Sequence, residues 1–147
     1  MLDAADFWTF ACAHYARAGM QDALLALQDN EHKNINLILL LMYLDARDLS
    51  LNVTQVQALH GLCDTFDRTV LHPQRQIRRI LKQQHQHYKA YDELRQHMLN
   101  AELAQEKYQQ AMLIDYLNQQ APQQNPHPDN LAHYLTPTQR LTIPAKT

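Results

Sequence analysis

The stretch LLALQDNEHKNINLILLLMYL, Leu24 to Leu44, carries most of the information about the fold. It is the most apolar part of the chain, and a polar insert divides it: Gln28-Asp29-Asn30, then Asn34 and Asn36. Beyond the insert, residues 34–46 are apolar at nearly every position. A helix that is apolar all round has to be covered all round, so this segment is expected to be a central, buried rod. Before the insert, Met20, Ala23, Leu24 and Leu27 recur at helical spacing and predict a helix over 20–30 with one apolar face.

Working toward the N-terminus, Asp3-Ala-Ala-Asp6 is a helix start, because an Asp side chain accepts hydrogen bonds from the first free amides. Phe7, Phe10, Ala11, His14 and Tyr15 follow at helical spacing, and the helix is expected to end near Ala18-Gly19. Phe7, Trp8, Phe10, Tyr15 and Tyr43 read as core aromatics. Positions 7 and 8 cannot face the same way on a helix, so Trp8 is expected to be partly exposed, and an exposed Trp would point to an interface.

Toward the C-terminus, Asp45 to Leu51 reads as a loop and Thr54 to Leu71 as a fourth helix, with Val56, Leu59, Leu62 or Cys63, Phe66 and Val70 in period. Pro73 lacks an amide hydrogen and disfavours helix at His72, which predicts a break or sharp kink there. The fifth helix then carries Ile77, Ile80, Leu81 and Gln84 inward and Arg75, Arg78, Arg79 and Lys82 outward. A sixth helix over about 88–119 has thinly spread apolar positions (Tyr91, Leu94, Met98, Ala101, Leu103, Tyr108, Met112, Tyr116), so it either packs along a narrow stripe or projects as an arm. From Ala121 the composition shifts to PQQNPHPDN, which reads as a linker or disordered tail. Within it, Asn130 to Leu135 suits one helical turn, and Leu131, Tyr134, Leu135, Leu141 and Ile143 offer apolar groups for docking on the body or on a partner.

The expected architecture is all-α: a single-domain bundle of five or six helices over 1–119, ending in a long helix, then a Pro-rich flexible tail over 120–147. Only two glycines occur in 147 residues, and Leu, Ala and Gln are abundant, which favours helix over sheet. Cys12 and Cys63 cannot make a disulfide framework, so a reducing cytoplasm is expected. Asp3 and Asp6 stand where a signal peptide needs positive charge. The longest apolar run, Ile35 to Leu44, falls far short of the roughly 20 residues of a membrane span.

Several pieces together carry a resemblance: the aromatic run from Phe7 to Gly19, Leu25-Ala-Leu-Gln-Asp29, the Asn-Ile-Asn-Leu run from Asn34 to Leu41, and the helix opened by Pro73 with Ile77-Arg78-Arg79 and Leu81-Lys82. Over about residues 6–82 the chain resembles DUF2390, a family of small proteobacterial proteins of unknown function. Gln74 stands where that pattern has an apolar residue, and His32-Lys33 where it has a Gly-containing turn. The resemblance implies a helical fold and brings no established chemistry.

Three constellations are candidates for function. Gln28, Asp29, Asn34 and Asn36 sit among leucines. Structurally, Asp29 or Asn34 would cap the third helix and Gln28 or Asn36 would tie helices together; functionally, they would floor a polar pocket. Arg75, Arg78, Arg79 and Lys82 form a basic face. Residues 51–90 hold six bases and two acids, against seven acids and three bases in residues 1–50. That face either pairs with acidic parts of the fold or meets phosphates or an acidic partner. His60, Asp64 and Asp67 at i, i+4 and i+7, with Cys63 adjacent, are a weak metal or acid–base candidate, otherwise an exposed helix face. No HExxH, CxxC, GxSxG or glycine-rich phosphate loop is present, and no cofactor is expected. The expected role is therefore a non-enzymatic interaction or adaptor module that meets a protein partner or a second copy. The alternatives are an RNA- or ribosome-associated protein using the basic helix over 73–89, and a small-molecule binder or enzyme with a pocket at Gln28, Asp29 and Asn36.

Overall fold

The computed structural model describes residues 1–145 of the chain; Lys146 and Thr147, the end of the expected tail, lie outside the described residues. The helices are α1 (Ala4–Tyr15), α2 (Met20–Glu31), α3 (Ile35–Ala46), α4 (Val53–Phe66), α5 (His72–His85), α6 (Tyr91–Gln120) and the short α7 (Pro137–Leu141). A two-residue antiparallel ladder joins β1 (Leu49–Ser50) to β2 (Gln123–Gln124), with Leu49 opposite Gln124.

The central rod is α3. Leu37 through Leu41, Tyr43 and Leu44 are all buried. Phe7 and Ala11 of α1, Met20, Leu24 and Leu27 of α2, Val56, Leu59 and Cys63 of α4, and Leu113, Ile114 and Leu117 of α6 complete the core around it. Side-chain caps start α1, α3 and α4. Asp3 Oδ2 accepts from the Asp6 amide at 3.2 Å, Asn34 Oδ1 accepts from the Leu37 amide at 2.8 Å, and Asn52 with Gln55 closes a reciprocal box at the start of α4. Gly19 enters α2 in the left-handed region at φ +79°, and Pro144 stands 3.4 Å from where a side chain there would begin.

Of the break or sharp kink expected at Pro73, the structure shows no break. A π turn, Asp67–Leu71, links α4 directly to α5, and the His72 amide reaches back five residues to the Asp67 carbonyl. Widening the helix by one residue lets the chain run through the proline, and it rotates α5 relative to a continuous α-helical register. That explains a second correction. Ile77 and Ile80 are not inward: they are 51% and 41% exposed. Arg75 and Arg78, expected to face water, turn onto α6 and pair with Glu106 and Glu102. The descending order of these pairs makes α5 and α6 antiparallel.

Helix α6 does both things its sparse pattern allows. Its second half enters the core through Leu113, Ile114 and Leu117, while its first half, with α5, forms an arm whose residues 82–90 are all exposed. Residues 122–144 lie against the body. Asn130 is fully buried, its Oδ1 accepting from the Leu51 amide at 2.8 Å and its Nδ2 donating to Asp45 Oδ1 at 2.7 Å and to the Leu49 carbonyl at 2.8 Å. Leu135 is buried, and Leu131, Tyr134 and Ile143 pack on the core, whereas Leu141 is exposed.

Candidate functional site

The polar insert and the π turn meet on α6. Gln109 is fully buried, and its neighbour Gln110 is 3% exposed. Asp67 Oδ2 accepts from Asn34 Nδ2 at 2.7 Å, and Asp67 Oδ1 accepts from Gln109 Nε2 at 2.9 Å. Gln109 Oε1 in turn accepts from Asn36 Nδ2 at 2.8 Å, and Asn36 Oδ1 accepts from Gln110 Nε2 at 3.0 Å. The run Asp67–Gln109–Asn36–Gln110 is thus a chain of hydrogen bonds in which each amide donates to its predecessor.

Its direction follows from chemistry. An ionised carboxylate only accepts, so Asp67 forces Gln109 to present its Nε2. Gln109 then shows Asn36 an oxygen, Asn36 shows Gln110 an oxygen, and Gln110 has to donate. Its remaining atom, Oε1, is left buried with no partner among the described residues. A buried acceptor in that position costs about 1–3 kcal/mol unless something satisfies it.

Next to this chain lies a cavity of about 230 Å³ between α1, α3, the π turn and α6. Trp8, Cys12 and Tyr15 line one side, Ile35, Asn36 and Leu39 another, and Asp67, Arg75, Glu106, Gln109 and Gln110 the rest. Its walls are mostly apolar with a few polar groups, the composition of a small-ligand site. The Lys107 Nζ lies over the ring of the half-buried Trp8, 5.3 Å from its centre. Burial, with the Glu106 carboxylate second, holds the Tyr15 hydroxyl above its ordinary pKa, so it stays a neutral phenol.

A second cavity of about 290 Å³ lies across Asn34 and Asp67, which line both. Gln28, His32, Lys33, His60, Asp64, His72 and Tyr134 surround it. The Asn34 amide donates to the Tyr134 hydroxyl at 2.8 Å, and burial pushes that hydroxyl up to about 12. Burial, then Asp67 and Asp64, push the Cys63 thiol well above its usual range, which makes it an unreactive core group.

The four residues of the polar insert therefore separate. Asn34 and Asn36 join the hydrogen-bonded chain, Gln28 faces the second cavity, and Asp29 is exposed. On the basic helix, Arg78 donates to Glu102 at 2.6 and 3.1 Å, and Arg75 donates to Glu106 at 2.9 Å, leaving Arg79 and Lys82 exposed. His60, Asp64 and Asp67 border one cavity, but among the described residues no group of three or more such side chains is placed to hold a metal ion. Gln109, Gln110, Glu102 and Glu106 escaped the reading of the sequence. Four polar residues on one helix, three of them buried, look like a solvated face until their partners are known.

The model of the DUF2390 family, described as a protein of unknown function, matches residues 6–113. The chain belongs to the DUF2390 family. The match reaches past the fifth helix and takes in the α6 residues of the hydrogen-bonded chain, so the DUF2390 region holds the whole cavity wall from Trp8 to Gln110. No curated protein and no solved structure matches this chain. Among the described residues no helix is long and apolar enough to cross a membrane.

Proposed function

We propose that this DUF2390 protein binds a small molecule in the cleft between α1, α3 and α6. One observation carries the reading: Gln110, which lines a mostly apolar cavity of about 230 Å³, has a buried amide oxygen, Oε1, without a partner among the described residues. Buried polar groups are almost always hydrogen-bonded, so an unpartnered one on a residue that lines a cavity supports ligand recognition there. The cleft supplies its own assay. Cys12 is exposed and lines the cavity, whereas Cys63 is buried. Thiol-bearing fragments screened for disulfide capture at Cys12 should include a few retained far beyond the rest under mild reductant, and their retention should fall in Leu39→Trp, which fills the cavity. Uniform capture of all fragments, unchanged by that substitution, would refute the reading.

A second reading is supported by the α5–α6 arm. Ile77, Ile80, Tyr88 and Leu94 are 51%, 41%, 71% and 46% exposed, which leaves large apolar side chains uncovered along the arm. On this reading the arm meets a protein partner or a second copy of the chain. Sedimentation of the wild type and of an Ile77→Glu/Ile80→Glu variant tests self-association, and identical monomer behaviour of both would count against it.

A further inference from the structure

We infer that the molecule held in the cleft is a small, largely apolar compound without negative charge that donates an N–H hydrogen bond to Gln110 Oε1. The inference rests on the cleft reading above and deepens it. The direction of the amide chain carries it. Because Asp67 can only accept, every amide after it is oriented, and the chain ends at Gln110 on an oxygen. Had the anchor been a donor, the same amides would present an N–H there and select for an acceptor. The second anchor agrees. Asn34 Oδ1 is occupied by the Leu37 amide, so its Nδ2 faces Asp67 and adds a further donor to that carboxylate.

Charge and size narrow the class. Asp67 and Glu106 are two carboxylates on the cavity wall against one cation, Arg75, which already pairs with Glu106. Among the described residues no cation lies within ion-pair distance of Asp67; its neighbours are the amides of Asn34 and Gln109. An anionic ligand would enter against that balance, while a neutral or cationic donor would not. A volume of about 230 Å³ lies below the roughly 300 Å³ at which drug-sized sites begin, so the occupant is a compact one. Gln110 Oε1 is itself closed off in this structure. Donation to that oxygen therefore requires the Gln110 carbonyl to turn toward the cavity on binding.

Matched probes that differ only in the donor test this: indole against benzofuran, and benzamide against acetophenone. Binding is measured by calorimetry on the full chain, and the Gln110 side-chain amide is followed by NMR. The donor partner of at least one pair should bind about tenfold tighter and shift the Gln110 signal. Asp67→Asn, which can donate to Gln109 and so reverse the amides, should shrink that preference to near parity. Gln110→Leu should abolish it with the melting transition still cooperative. Equal binding within both pairs overturns the donor assignment and leaves the cleft reading standing. Binding of none of the four probes, together with uniform capture at Cys12, overturns both.

Discussion

Replacing Gln109 by leucine isolates the hydrogen-bonded chain from its volume. The two side chains are similar in size, so the buried site stays filled. What is lost is set by the partners. Gln109 Oε1 takes the Asn36 Nδ2 hydrogen at 2.8 Å, and Gln109 Nε2 serves Asp67 Oδ1 at 2.9 Å, with longer contacts of 3.4 Å to Asn34 and to the Cys63 carbonyl. Gln109→Leu therefore strands one amide hydrogen and one carboxylate oxygen. Each stranded buried group costs about 1–3 kcal/mol, and the extra apolar burial returns part of it, so a net loss of about 3 kcal/mol is expected. In a domain of this size that lowers the melting temperature by about 6–12 °C. Urea unfolding followed by circular dichroism measures it. Gln109→Glu should be worse still, because it sets a second carboxylate beside Asp67. A loss for Gln109→Leu below about 1 kcal/mol would mean that water already serves these groups, and the assignment of direction along the chain would fall with it.

Arg78→Met should destabilise the protein by about 2–4 kcal/mol, since Glu102, whose side chain is 7% exposed, would keep only Arg75 at 3.9 Å; restoring most of that loss in Arg78→Met/Glu102→Leu would show that the stranded carboxylate is the cause. Asn130→Ala removes three hydrogen bonds that hold the C-terminal segment to Asp45, Leu49 and Leu51, and limited proteolysis should then cut between Ala121 and Asp129 well before the wild type is cut. Burial holds the Asp45 carboxyl above its ordinary value of 3.8, against the hydrogen bonds from Asn130 that favour the charge. A carboxyl that binds its proton more tightly folded than unfolded contributes most at low pH, and that contribution is lost as the pH climbs through the folded value. Asp45→Asn should therefore gain on the wild type as the pH rises from 3.8 upward, and melting curves of both proteins across that range would refute this if their difference stayed flat.

Periodicity and composition were enough to place the helices and their centre. Residues 34–46 are apolar on nearly every side, and such a helix is not stable in water, so a rod wrapped by amphipathic neighbours follows from hydrophobic burial. The cap at Asp3 was equally legible, and the cap of α3 was narrowed to Asp29 or Asn34, because caps depend on residues three positions apart. Everything else waited on how the helices pack. Whether Pro73 breaks a helix or is absorbed by a π turn depends on the packing of residues 67–71 against α6, and that choice set which face of α5 carries Arg75 and Arg78 inward. The Pro-rich composition after Ala121 marks a tail but not its attachment, which runs through the burial of Asn130 against Asp45 and Leu51, some eighty positions away. The candidate site has the same character. Asn36 was visible as a polar residue among leucines and Asp67 only as part of a weak metal candidate on a helix face, and their partners Gln109 and Gln110 stand more than forty positions further along. A buried amide is recognised only by what it bonds to, and periodicity holds no record of contacts between helices.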